Sequence, residues 1–365
     1  MPLNKNPGRL VIRILIPAIL LMGAAQLSRA AEDGTLPRLA SAKPSLLSEN
    51  MLYCLGLAHG TLGNFEASRE YFSRIRDANP SSPLAYAPVA LTHVAEGQLD
   101  LALYWMSEAQ AADPGDLDFG GWMLLLSDDL AAHNSSEQWS QWLSNQVTNQ
   151  SMPMATQASH QYLAGNFDLA LQYSNLALKL ELPRRWNSDA IFMRIKRDEA
   201  LADGDPEKGI SVFADRHREL LQEPPEITPE NLAQATDLAL LLKISGQSNK
   251  ARRLLDAVLT TYDQPFIAGG LLRAELMPVK AEALAILGHE PESLAELRRV
   301  IDKGWRVHWR LKTDLNPNFN GIRHSAEFQA MVKELETDMA RQRSRLQDLA
   351  VKGMFDPAPP LDSIF

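Results

Sequence analysis

A chain of 365 residues with 45% hydrophobic and 22% charged side chains can build a large buried core, which excludes disorder over its whole length. The net charge is −9; setting aside Lys5, Arg9, Arg13 and Arg29 leaves 32 basic against 45 acidic side chains, a net −13 that disfavours nucleic-acid binding. The single cysteine, Cys54, excludes an internal disulfide framework and reads as a small buried hydrophobe among Leu52, Tyr53 and Leu55.

From the N-terminus, Lys5, Arg9 and Arg13 precede an apolar run from Ile14 to Ala25, and Ser28 and Ala30 flank Arg29. A basic start, a short apolar stretch and a small-x-small exit make a secretory signal over residues 1–30, with cleavage after Ala30. The run is shorter than the ~20 apolar residues of a membrane span. If uncleaved, it would anchor the chain to a membrane. Either way the remainder is expected outside the cytosol, in the periplasm, with residues 31–47 as a linker.

Leu and Ala dominate the apolar set, which favours helix over sheet. Helix-turn signals then recur at a fixed interval. Gly63-Asn64-Phe65 and Gly97-Gln98-Leu99 are 34 residues apart, and Gly165-Asn166-Phe167 follows 68 further on. Asn79-Pro80 and Asp113-Pro114 repeat the same interval, each 17 residues after its glycine. A glycine turn inside a helical pair and a proline-marked turn after it describe a stacked hairpin, whose apolar face only the next hairpin can cover.

These residues resemble the tetratricopeptide repeat. The first unit carries Leu55-Gly56, Gly63-Asn64-Phe65, Tyr71-Phe72 and Asn79-Pro80; the second keeps Gly97, Ala102, Ala109 and Pro114; the fourth keeps Gly165, Ala170 and Ala177, with Pro183 one place late. The third, from Phe119 to Met152, holds the register with Ala131 at the turn glycine. Three further pairs follow. One turns at Asp203-Gly204-Asp205-Pro206. One joins Leu238–Ser245 to Ala251–Tyr262 around Gly246. The last joins Leu276–Leu287 to Glu292–Lys303 around Gly288. The resemblance implies an all-α, right-handed helical-hairpin solenoid of about seven units over residues 48–303.

After Gly304 the pattern changes to Trp305, Trp309 and Asp314-Leu315-Asn316-Pro317-Asn318-Phe319, then a long helix from Ser325 to about Val351. This end is similar to the tetratricopeptide tails of bacterial winged-helix regulators and cyclases. Residues 304–352 read as a capping segment and 353–365 as a loose tail. The tryptophans Trp105, Trp122, Trp139, Trp142, Trp186, Trp305 and Trp309 read mainly as packing between layers, with Trp139 and Trp142 alternatively an exposed contact patch.

The eight histidines fall in no metalloprotease, hydrolase or phosphate-loop motif, and neither a metal nor a cofactor is expected. Asp113 to Asp118 resembles a calcium loop only faintly and coincides with a turn between units. His59 and His93, 34 residues apart, hold equivalent places in adjacent units, and Ser127 and Gln161 continue the row. The family geometry implies that this row faces the concave groove, with Tyr86 and Gln157 nearby, and a polar row beside apolar positions suits peptide capture. Two plainer alternatives stand beside it: half-exposed helix residues without a ligand, or a row covered by Glu32 to Ser48. Export, the repeats and the family resemblance together lead to the expectation of a non-enzymatic scaffold. It would bind a protein or peptide and assist assembly or regulation of an envelope complex. The competing reading is a membrane-anchored periplasmic sensor that binds a small ligand.

Overall fold

The computed structural model describes residues 48–146, 150–180, 186–263, 273–356 and 358–359. The expected signal, the linker, Pro183, residue 357 and the last six residues lie outside these, as do the side chains of Trp186, Asn187 and Arg273. The described residues are helical, without strands.

Seven hairpins stack in chain order: α1 (Glu49–Thr61) with α2 (Phe65–Ala78), α3 (Ala87–Ala95) with α4 (Leu99–Ala112), α5 (Leu117–Asp129) with α6 (His133–Ser144), α7 (Ser151–Leu163) with α8 (Phe167–Lys179), α9 (Trp186–Ala202) with α10 (Pro206–Arg216), α11 (Leu232–Ile244) with α12 (Ser248–Tyr262), and, after the single turn α13 (Arg273–Leu276), α14 (Val279–Leu287) with α15 (Glu290–Asp302). A short α16 (Trp309–Lys312) and a long α17 (Ala326–Val351) complete the chain. No helix of the described residues is long and apolar enough to cross a membrane.

The register read from glycine holds. Gly63, Gly97, Gly165, Gly204, Gly246 and Gly288 all turn with positive φ, and Ala131 takes the same conformation at φ 51° in the third unit. Each turn is a Schellman motif: the residue after the glycine donates its N–H to a carbonyl five residues back, as in Asn64 to His59 at 2.9 Å. Small residues sit where helices approach. A Cβ on Gly56 would lie 2.6 Å from the Phe72 ring, and Ala102 and Ala170 are fully buried. Ser68 Oγ donates to Gly56 O at 2.7 Å, and Ser293 Oγ to Ala281 O at 2.8 Å, so the first and last hairpins share one hydrogen bond at the same register.

The two helices of a hairpin bury themselves differently. The second helices are one-sided: α12 buries Ala251, Leu254, Leu255, Val258 and Tyr262, a 3.6-residue stripe. Of the first helices, α11 is enclosed over every residue from Leu232 to Leu242 and α7 from Ser151 to His160. An open groove would leave one side of these helices wet. Here residues 304–323 cover it.

The C-terminal helix does more than cap the last hairpin. α17 packs on α15 and reaches back to α4. Gln342 Nε2 donates to Gly97 O at 2.8 Å, Arg345 pairs with Asp100 at 2.6 Å, and Arg343 donates to Leu130 O at 2.7 Å. The turn at Gly97 also abuts Gly304, so a Cβ on Gly304 would lie 2.7 Å from Glu96 O. The array therefore closes on itself, the second unit against the seventh. The expected loose tail begins packed, since Phe355 is buried in the same core as α17.

Candidate functional site

The four residues of the polar row occupy one structural place, the residue whose carbonyl closes the Schellman turn. That place aims each side chain at its own hairpin. His59 stacks on Tyr71 with ring centroids 5.4 Å apart; His93 Nδ1 lies 2.7 Å from Gln98 Oε1; Ser127 Oγ is 3.1 Å from Ser135 Oγ; Gln161 Oε1 accepts from Asn166 Nδ2 at 2.8 Å. Burial pushes both histidines below their ordinary pKa, keeping them neutral. In the next three hairpins the place holds Ala200, Leu242 and Leu284. Tyr86 is buried, its hydroxyl donating to Pro80 O at 2.7 Å and its ring stacked on Trp105. Gln157 is buried between units, its Nε2 donating to Ser140 O at 2.6 Å. The structure thus distributes His59, His93, Tyr86, Gln157 and Gln161 among separate hairpin and interhairpin contacts rather than gathering them in one cleft.

The inner face is marked instead by residues spread over the chain. His308 N donates to Asp129 Oδ2 at 2.7 Å and Trp309 Nε1 to Asp129 O at 2.9 Å, fixing the start of α16 to the end of α5. Leu311 packs with Met154 and Ala155 of α7 and Ile191 of α9. Lys312 donates to the Glu275 carbonyl. Beyond it Arg197 Nη1 donates to Asn316 Oδ1 at 3.2 Å, and Asn318 Nδ2 donates to Asp237 Oδ1 at 2.8 Å and Glu282 Oε2 at 2.7 Å. Residues 304–323 therefore cross the first helices α5, α7, α9, α11 and α14 in turn.

At the centre are two buried guanidiniums. Arg194 pairs with Asp237 at 3.2 Å and Glu282 at 3.1 Å, and Arg197 pairs with Asp237 at 2.5 Å and Asp198 at 2.8 Å. Burial alone would discharge Arg194, but Asp237 and Glu282 outweigh it and raise its pKa; burial would protonate Asp237, but the two arginines outweigh it and lower its pKa. Burial pushes Asp129 well above the carboxylate range, against the lowering effect of the His308 N–H bond and the Lys312 charge. Arg194 also borders a cavity of about 20 Å³ with Gln234, Glu275 and Lys312, a volume on the scale of bound water.

The outer face differs from hairpin to hairpin. α6 presents Glu137, Gln138 and Gln141 to solvent, and α10 presents Glu207, Lys208 and Asp215. Between them α8 exposes Leu169 at 44%, Leu176 at 45% and, at its C-cap, Leu180 at 45%, with half-buried Tyr173 among them. The spacing of these four, in a hairpin otherwise matching the repeat, was readable in the sequence but is indistinguishable there from a buried stripe. Trp139 and Trp142, by contrast, are buried and meet edge to face at 5.4 Å. No protein-family model matches this sequence, and no curated protein matches it.

Proposed function

We propose that the chain is an exported scaffold of tetratricopeptide type that engages a protein of the cell envelope through its outer face, at α8. The observation that carries this reading is a pairing of two surfaces. The inner face, where a peptide would lie in an open array, is taken by residues 304–323 of the chain itself, whereas α8 leaves three leucines exposed with polar second helices on either side. Exposed apolar area of this kind, rimmed by polar groups, marks an interaction surface. Export rests on the signal pattern of residues 1–30, and an intact mass beginning at Ala31 in the exported protein would support it.

Capture from an envelope extract with wild-type protein and with Leu176→Asp tests the docking face. The expected result is loss of a specific partner by the variant with its helical circular dichroism intact. Capture indifferent to Leu176→Asp would contradict the reading.

A further inference from the structure

The seam on α8 has a symmetry that goes beyond exposure. Leu169, Tyr173, Leu176 and Leu180 are spaced 4, 3 and 4 residues apart. At 100° per residue they fall within about 60° of arc, the d-a-d-a order of a coiled-coil seam. Only two charged residues, Asp168 and Lys179, are exposed along the helix. Both fall on the same flank of the seam, beside Gln172 and Asn175, one near each end.

Resting on the outer-face reading above, we propose that the partner on this seam is a second copy of the chain, joined by antiparallel packing of α8 on α8 about a two-fold axis. An axis passing between Ser174 and Asn175 sets Leu169 against Leu180 of the other copy and Tyr173 against Leu176, each contact made twice. It also brings Asp168 within about 3 Å, along the helix axis, of Lys179 of the second copy, because antiparallel helices place like flanks together. Both ends of the pair thus place opposite charges on the same flank, an attraction across the seam, and the two helix macrodipoles oppose each other. A parallel pair is disfavoured: it would turn the polar flank toward the side bearing Ala170 and Ala177, which is buried against the array. The same surface serving both partners is the isologous contact of a two-fold dimer.

The 13 residues of α8 span about 20 Å, too short a seam on its own for the roughly 2,000–5,000 Å² of a permanent interface. The dimer is therefore reversible and concentration-dependent.

Sedimentation velocity of the exported full-length protein, from nanomolar to high-micromolar loading, reads this directly. Wild type should pass from monomer to dimer, and Leu176→Asp should remain monomeric. Asp168→Lys should weaken the dimer several-fold, and Asp168→Lys combined with Lys179→Asp should restore it, which keeps the test decisive if Leu176→Asp fails to fold. A wild type that stays monomeric, or a dimer indifferent to these substitutions, overturns the second copy as occupant. In that event, continued loss of an envelope partner on Leu176→Asp leaves the outer-face reading standing, and retained capture overturns both.

Discussion

Gly63 and Gly97 hold the same turn position with nearly the same φ, 78° and 75°, yet a side chain would meet different surroundings. Nothing lies near a Cβ on Gly63, whereas a Cβ on Gly97 would run into the Gly304 carbonyl oxygen and the Arg306 side chain. Gly63→Ala should therefore cost about 1–2 kcal/mol for the left-handed conformation alone. Gly97→Ala should cost clearly more, because backbone on both sides must also separate. Urea unfolding of the two variants checks this, and equal losses would contradict closure of the second unit on the seventh. The conformation of both glycines was legible in the sequence, since a 34-residue interval of glycine before a helix start has few other causes. Ala131 shows the limit of that logic: it adopts the same turn with a Cβ, so the register rather than the residue identifies the position. The meeting of Gly97 with Gly304 was not legible, because the two are distant in sequence and each has a sufficient local explanation.

At the scale of elements, α5, α6 and α7 are tied by an ionisable contact. His160 Nδ1 on α7 lies 3.0 Å from Asp128 Oδ1 at the end of α5, and its Nε2 lies 3.9 Å from Glu137 of α6. Burial lowers the pKa of His160, but the bond to Asp128 and the charges of Asp128 and Glu137 outweigh it, so the folded-state value is raised. The charged pair then contributes fully below the unfolded value of about 6.5 and loses its contribution as pH rises through the raised value. His160→Gln should lower the melting temperature more at about pH 5.5 than at about pH 8.5; an equal loss at both would contradict the pairing. Element boundaries were legible where a polar face broke the pattern and less so elsewhere. α11 begins at Leu232, six residues before the expected Leu238, because a helix buried on all sides has no alternation to mark its start. The expected continuous helix from Leu276 to Leu287 is interrupted between Leu276 and Val279 at Met277-Pro278, where proline disfavours helical geometry in the residue before it. The polar row follows the same repeat logic. Its period was correct, but the period reports the turn-closing carbonyl of each hairpin, and a side chain there reaches its own turn.

For the whole molecule, repetition made the solenoid legible and concealed what the solenoid encloses. The segment after Gly304 carried a change of composition, with two tryptophans and the run Asp314 to Phe319, but nothing in a linear pattern says that Asn318 meets Asp237 and Glu282, 81 and 36 residues away. Such a network of buried charges is weak evidence for stability, because desolvation offsets much of the attraction. Its effect is geometric: Arg194, Arg197, Asp237 and Glu282 accept one arrangement of Asn316 and Asn318, which fixes the inner segment in register with the first helices. The docking face proposed above is accordingly the outer one, at α8. Amide hydrogen exchange on the isolated protein tests this arrangement most directly. With residues 304–323 seated on the inner face, the amides of Lys312, Leu315, Phe319 and Ile322, each bonded to a backbone carbonyl, should exchange on the same slow scale as those of α11. Rapid exchange across 304–323, with α7 and α11 still protected, would mean an open groove and would contradict it.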